Sequence, residues 1–254
     1  MFTLIFIFGL VIGSFLNVCI YRIPRNESLV CPGSRCTLCK KPIPWYDNIP
    51  LLSYLMLRTR CRACHEKISF RYFAVELISA IAFLILFINF GLNYIFWVYS
   101  LLTFGLIVVT FIDLEFQLIP DSISLIGIFA GIILSIIFPG LQNAFTWGKA
   151  FLNSVSGALI GGGLIYLTGV LGQLAFKKES MGGGDVKLMA MLGAFLGWKM
   201  AVLIFFLAPF FGAPVGIYVK FIKKEDIIPY GPYISLAGFV AMVWGHRILS
   251  ILLP

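Results

Sequence analysis

The chain has 254 residues, of which 60% are hydrophobic and only 12% charged, and its mean hydropathy is +1.00. A soluble domain carries about a quarter charged residues, so this composition excludes one and indicates a membrane protein. The formal net charge of +8 does not require a nucleic-acid partner, because the basic residues follow membrane sidedness.

Apolar runs of about 20 residues are long enough to cross a bilayer as helices, and in lipid a helix satisfies its own backbone. Eight spans are expected, near 1–21, 73–90, 93–112, 122–138, 150–175, 186–197, 200–219 and 233–252. The chain is therefore expected to be an all-α polytopic membrane protein, with the short sixth span its least regular element. No basic residue precedes the first run, and Arg22 and Arg25 follow it. That polarity predicts a retained first span with its N-terminus outside, not a cleaved signal.

An even number of spans puts both termini on one side. Loops after the odd-numbered spans hold 16 of the 19 Lys/Arg: ten in 22–71, then Lys177, Lys178, Lys187, Lys220, Lys223 and Lys224. Lys149, Lys199 and Arg247 lie on the other side. The positive-inside rule places the first group in the cytoplasm and both termini outside. A basic cytoplasmic face also suits anionic membrane lipid.

Residues 22–72 differ from the membrane core, which is formed by 1–21 and 73–254. They are polar and basic, carry Pro24, Pro32, Pro42, Pro44 and Pro50, and hold five of the six cysteines. A small insertion of this kind needs a staple. Cys36-Thr37-Leu38-Cys39 and Cys61-Arg62-Ala63-Cys64 form two C-x-x-C pairs separated by 21 residues. The spacing lets each pair turn both sulfurs toward one ion, and four thiolates close a tetrahedral Zn²⁺ shell. Such a shell has no open position, so the zinc is structural. Disulfides or free thiols are the alternative, and a cytoplasmic location disfavours disulfides. His65 is a rival ligand, Cys31 a spare thiol, and Cys19 a small apolar residue of the first span.

Most of the eleven carboxylates have plain settings. Glu27, Asp47 and Glu66 belong to the insertion, and Glu179, Glu225 and Asp226 lie among lysines. Glu76 opens the second span, where an ion pair near Arg71 or Tyr72 is expected. Asp121 follows Pro120 where the fourth span needs an N-cap, and Glu115 faces the interface. Asp113 stands out: it ends the third span, where the macrodipole disfavours an anion. Asp185 follows Gly182-Gly183-Gly184 and opens the sixth span, on the same side. A carboxylate at the edge of a span is a functional-site candidate, and glycines beside it admit another backbone. Two such carboxyls brought together would share a proton, as aspartyl peptidolysis requires. Two unrelated interfacial aspartates would read the same way. There is no H-E-x-x-H, G-x-S-x-G or Walker A pattern, and Gly161-Gly162-Gly163 suits a close helix contact.

The chain resembles the bacterial type IV prepilin peptidases nearly end to end. The resembling pieces are Gly13-Ser14-Phe15-Leu16-Asn17-Val18 through Arg22-Ile23-Pro24, Cys31-Pro32 with the two C-x-x-C pairs, and Pro44-Trp45-Tyr46-Asp47-Asn48-Ile49-Pro50. Arg71-Tyr72 through Glu76, Asp113 to Asp121, and Met181 to Lys187 complete the set. The resemblance implies cleavage of the basic leader of prepilins and pseudopilins at the cytoplasmic face of the inner membrane, with Asp113 and Asp185 as the catalytic aspartates. It also implies methylation of the new N-terminal amine from S-adenosylmethionine, an activity associated with the insertion. One position departs from the family, which usually reads Leu-x-Gly-x-Cys where this chain has Leu57-Arg58-Thr59-Arg60-Cys61. Two other classes remain open on the residues alone. A transporter would couple ions through Asp113 and Asp185, and a membrane scaffold would dock through the zinc knuckles.

Overall fold

The structure is a computed structural model that describes residues 1–177, 181–218 and 229–252. Lys178, Glu179, Lys220, Lys223, Lys224, Glu225 and Asp226, counted above as loop charges, lie outside the described residues. The described residues form nine α-helices and no strand: α1 (Phe2–Arg22), α2 (Leu52–Met56), α3 (Phe70–Phe90), α4 (Tyr94–Phe116), α5 (Asp121–Ile137), α6 (Trp147–Phe176), α7 (Gly183–Leu196), α8 (Trp198–Tyr218) and α9 (Gly231–Leu252). The eight long ones stand where the eight spans were expected. Six, namely α1, α3, α4, α6, α8 and α9, are long and apolar enough to cross a membrane. With 17 and 14 residues, α5 and α7 fall short.

The chain divides into two compact units, Met1–Val108 and Val109–Pro254, parting within α4. In the first, α1 packs along α3, and Asn17 donates from Nδ2 to the Tyr72 carbonyl at 3.0 Å. The ring of Phe83 lies tilted against Phe96 and stacked on Phe104, at 4.8 and 5.6 Å between centroids. Arg22, buried at the end of α1, donates to the carbonyls of Ser28, Pro32 and Gly33. It thus fixes the first turn of the insertion with charge-assisted bonds.

In the second unit α7 is the central element, flanked by α5, α6, α8 and α9. Leu188, Met189 and Met191 to Leu196 are all buried, so apolar neighbours cover this helix on every side. Fourteen residues span only about 20 Å, and a helix end inside the bundle leaves carbonyls without partners. Side chains supply them. Gln142 donates to the Ala194 and Phe195 carbonyls at 3.0 and 3.1 Å, and Ser154 donates to Ala194 at 2.7 Å. Against α6 the approach is closer still, since a Cβ on Gly193 would run into the Gly157 carbonyl and the reverse also holds. The expected contact at Gly161-Gly162-Gly163 is part of this seam: a Cβ on Gly161 would stand 2.7 Å from the Met189 carbonyl oxygen, while Gly163 has open space.

Candidate active site and cysteine cluster

Asp113 lies in the last turn of α4 and Asp185 in the first turn of α7, only 5% and 8% exposed. The two are near enough for the charge of Asp113 to act on Asp185. Each carboxylate accepts one backbone N–H. Gly182 donates to Asp185 Oδ2 at 3.2 Å, and Gly231, the first residue of α9, donates to Asp113 Oδ2 at 2.9 Å. The second bond resolves the anomaly of an anion at a helix C-terminus: the N-terminus of another helix, 118 residues away, points a positive dipole end at it. Ile119 packs against both sides of the site. A Cβ added to Gly184 would sit 2.9 Å from Ile119 Cβ, and one on Gly231 3.2 Å from Ile119 Cδ1. Tyr230 completes the surroundings. Burial and the negative charge of Asp185 push its phenol up to about 12, so it remains a neutral hydroxyl.

Of the neighbouring carboxylates, Asp121 behaves differently from what its spacing predicts. Asp121 does not cap α5: Pro120 is the N-cap, Asp121 is the first helical residue, and no side-chain cap bond forms. Its Oδ1 accepts from Lys187 Nζ at 2.6 Å instead, an exposed pair worth at most about 1 kcal/mol. Glu76 accepts the Leu51 N–H at 2.9 Å, so a backbone amide of the insertion meets it. Glu115 is exposed. The sequence reading missed Gly231 and Tyr230. Pro232 at the second helical position marks a helix start there, but nothing local reveals that this start faces Asp113.

The four cysteines Cys36, Cys39, Cys61 and Cys64 come together with all Sγ atoms within 4.8 Å of one another, and Cys36 and Cys64 are 3.9 Å apart. Tetrahedral metal–sulfur bonds of about 2.3 Å place sulfurs about 3.8 Å apart, so the cluster has the size of a metal shell. The two knuckles share one backbone design. Cys36 N–H donates to Lys41 O and Lys40 N–H to Cys36 O; Cys61 N–H donates to Glu66 O and His65 N–H to Cys61 O. Lys40 and His65 both take positive φ, +59° and +58°. His65 is therefore the turn residue of its knuckle, equivalent to Lys40, and it is not one of the clustered groups. The N–H groups of Cys64 and Ala63 draw the Cys61 thiol down to about 7. Arg62, inside the second knuckle, grips Asp47 through two bonds of 2.7 and 2.6 Å, holding the Asp47 carboxyl below its usual value. Cys31 is exposed and Cys19 buried.

Thr59, the departure from the family pattern, has φ of +64° and follows Arg58 at +48°. The position demands left-handed backbone, where a β-branched residue is strained. We expect Thr59→Gly to stabilise the insertion by about 1 kcal/mol, the relief of that strain less the entropy of glycine. Slower limited proteolysis within 22–72 would show it, and faster proteolysis would refute it.

Residues 7–90 match the bacterial peptidase A24 N-terminal domain, and residues 100–217 match the type IV leader peptidase family. A Pseudomonas putida protein named prepilin leader peptidase/N-methyltransferase is 35% identical over 98% of this chain and 92% of its own length. The chain belongs to the type IV leader peptidase family. Family relatives of the same name include an Aeromonas hydrophila protein, 35% identical over 97% of this chain and 92% of its own. One from Myxococcus xanthus is 41% identical over 84% of this chain and 61% of its own. No solved structure matches this family member.

Proposed function

We propose that the protein is an inner-membrane aspartyl endopeptidase that removes the leader from type IV prepilins and pseudopilins. The observation that carries this is a buried pair of carboxyls, Asp113 and Asp185, each held by a backbone N–H at a helix start. Two carboxyls in electrostatic contact hold one proton between them. The ionised member takes a proton from water as its oxygen attacks the scissile carbonyl carbon. The protonated member donates to the carbonyl oxygen, and collapse of the tetrahedral adduct breaks the C–N bond as the leaving amine is protonated. Gly183, where an added Cβ would meet nothing within 4 Å, leaves room beside Asp185 for the extended substrate backbone. The excess of Lys/Arg in the loops on the same side as the aspartates supports a cytoplasmic site and outer termini, and membrane lipid is its medium.

The insertion 22–72 is proposed to be stapled by one structural Zn²⁺ on Cys36, Cys39, Cys61 and Cys64. Freshly purified protein should contain about one zinc per chain. Cys39→Ser should lose it and expose 22–72 to protease, whereas metal-free wild type would overturn the assignment. The names of the relatives further support N-methylation of the new N-terminus. S-adenosylmethionine supplies the methyl group in that reaction, and no residue of this chain is assigned to it. The test of the whole reading is to incubate purified protein with a prepilin and weigh the products. Loss of the leader is expected, with an added methyl when S-adenosylmethionine is present; an intact prepilin would refute the peptidase reading.

A further inference from the structure

At the end of the second unit where α7 finishes, α8 begins and α9 closes lies a cavity of about 830 Å³. Along α7 the rise from Asp185 to Leu196, which lines the cavity, is about 16 Å, so it is a distinct site. Its lining joins a polar group, Lys199, His246 and Asn143, to an apolar wall that includes Leu203, Phe206 and Leu249. Lys199, Leu203 and Phe206 stand at i, i+4 and i+7. One face of α8 thus carries an ammonium at the helix start and hydrocarbon over the next two turns.

Lys199 is the sole lysine or arginine in the lining, which contains no carboxylate. Its ammonium, on an exposed residue, lies over the Trp198 ring at 5.8 Å, a contact that supplies no anion. Asn143 Nδ2 and His246 Nε2, 3.2 Å apart, bring two further polar groups to the same mouth. Phe206 is 68% exposed, so the apolar wall continues onto the outer surface of the helix. A cation at one end and hydrocarbon leading away from it match an anionic amphiphile. A bare phosphate leaves the wall uncovered, and a neutral lipid leaves Lys199 without a counter-charge. We propose that this cavity binds an anionic phospholipid, with the phosphodiester beside Lys199 and an acyl chain along Leu203 and Phe206. α8 and α9 are long and apolar enough to cross the membrane, which keeps such lipids at high local concentration.

The test is native mass spectrometry of the full-length protein in detergent, titrated with phosphatidylglycerol, with phosphatidylcholine of the same chains, and with glycerol phosphate. One phosphatidylglycerol should be retained about fivefold more tightly than phosphatidylcholine, the effect of one cation near a headgroup. Lys199→Gln should remove that preference while leaving leader cleavage at the wild-type rate. Val202→Trp, which fills the apolar wall, should weaken both lipids. Equal retention of the two lipids by wild type, or an unchanged preference in Lys199→Gln, would overturn the proposal. So would glycerol phosphate displacing the lipid at equal concentration, since that would make this a site for soluble phosphate.

Discussion

Asp113→Asn and Asp185→Asn should each lower prepilin cleavage by at least about 10³-fold, and the double variant should be no slower than either single one. Groups that act as one unit show such non-additivity, because removing either member removes the shared step. Asparagine has the shape of aspartate and retains a carbonyl oxygen to accept the Gly231 or Gly182 N–H, so the fold survives the exchange. What asparagine lacks is a proton that can be taken up and released. Rates measured on protein with an unchanged unfolding profile would therefore report chemistry alone. Wild-type cleavage by either variant would remove that residue from the reaction. A double variant slower than both singles by the product of their effects would mean two independent roles, as a pair of ion-coupling sites would have.

Much of this arrangement is legible in the sequence, and the illegible part has a common cause. Span positions follow from runs of apolar residues, which are local. The cysteine cluster follows from two C-x-x-C spacings, although the shared backbone turn that makes His65 the counterpart of Lys40 appears only in three dimensions. Asp113 is noticed because it sits wrongly for its own helix. Its remedy, the Gly231 N–H, is invisible because the bond joins residues 118 apart. Asp121 shows the reverse error. A local rule assigns it to capping, and a side chain from α7 takes its carboxylate instead. Glu76 likewise has a partner no local rule reveals, a backbone amide of the insertion 25 residues away. Even the shortness of α7 makes sense only once Gln142 and Ser154 are seen at its end. Local physics fixes which residues are unusual, and long-range partners decide what each of them does.

Gly231→Ala is the substitution that tests the long-range partner directly. A methyl group there would stand 2.7 Å from Asp113 Oδ2 and 3.2 Å from Ile119 Cδ1. No backbone blocks it; both atoms are the ends of side chains, so the helices need not separate. Gly231 carries no positive φ, so alanine meets no backbone strain either. The carboxylate must yield, and it turns away from the N–H that holds it. A displacement of about 1 Å in a reacting group costs on the order of 10²-fold in rate, and that loss should fall on kcat while KM for the prepilin stays near wild type. The expected variant is therefore folded, binds substrate and cleaves about a hundredfold more slowly. Cleavage at the wild-type rate would show that the α9 N-terminus does not position Asp113. An unfolded variant would show that Gly231 serves packing, and Asp113→Asn would then remain as the separate measure of the carboxylate.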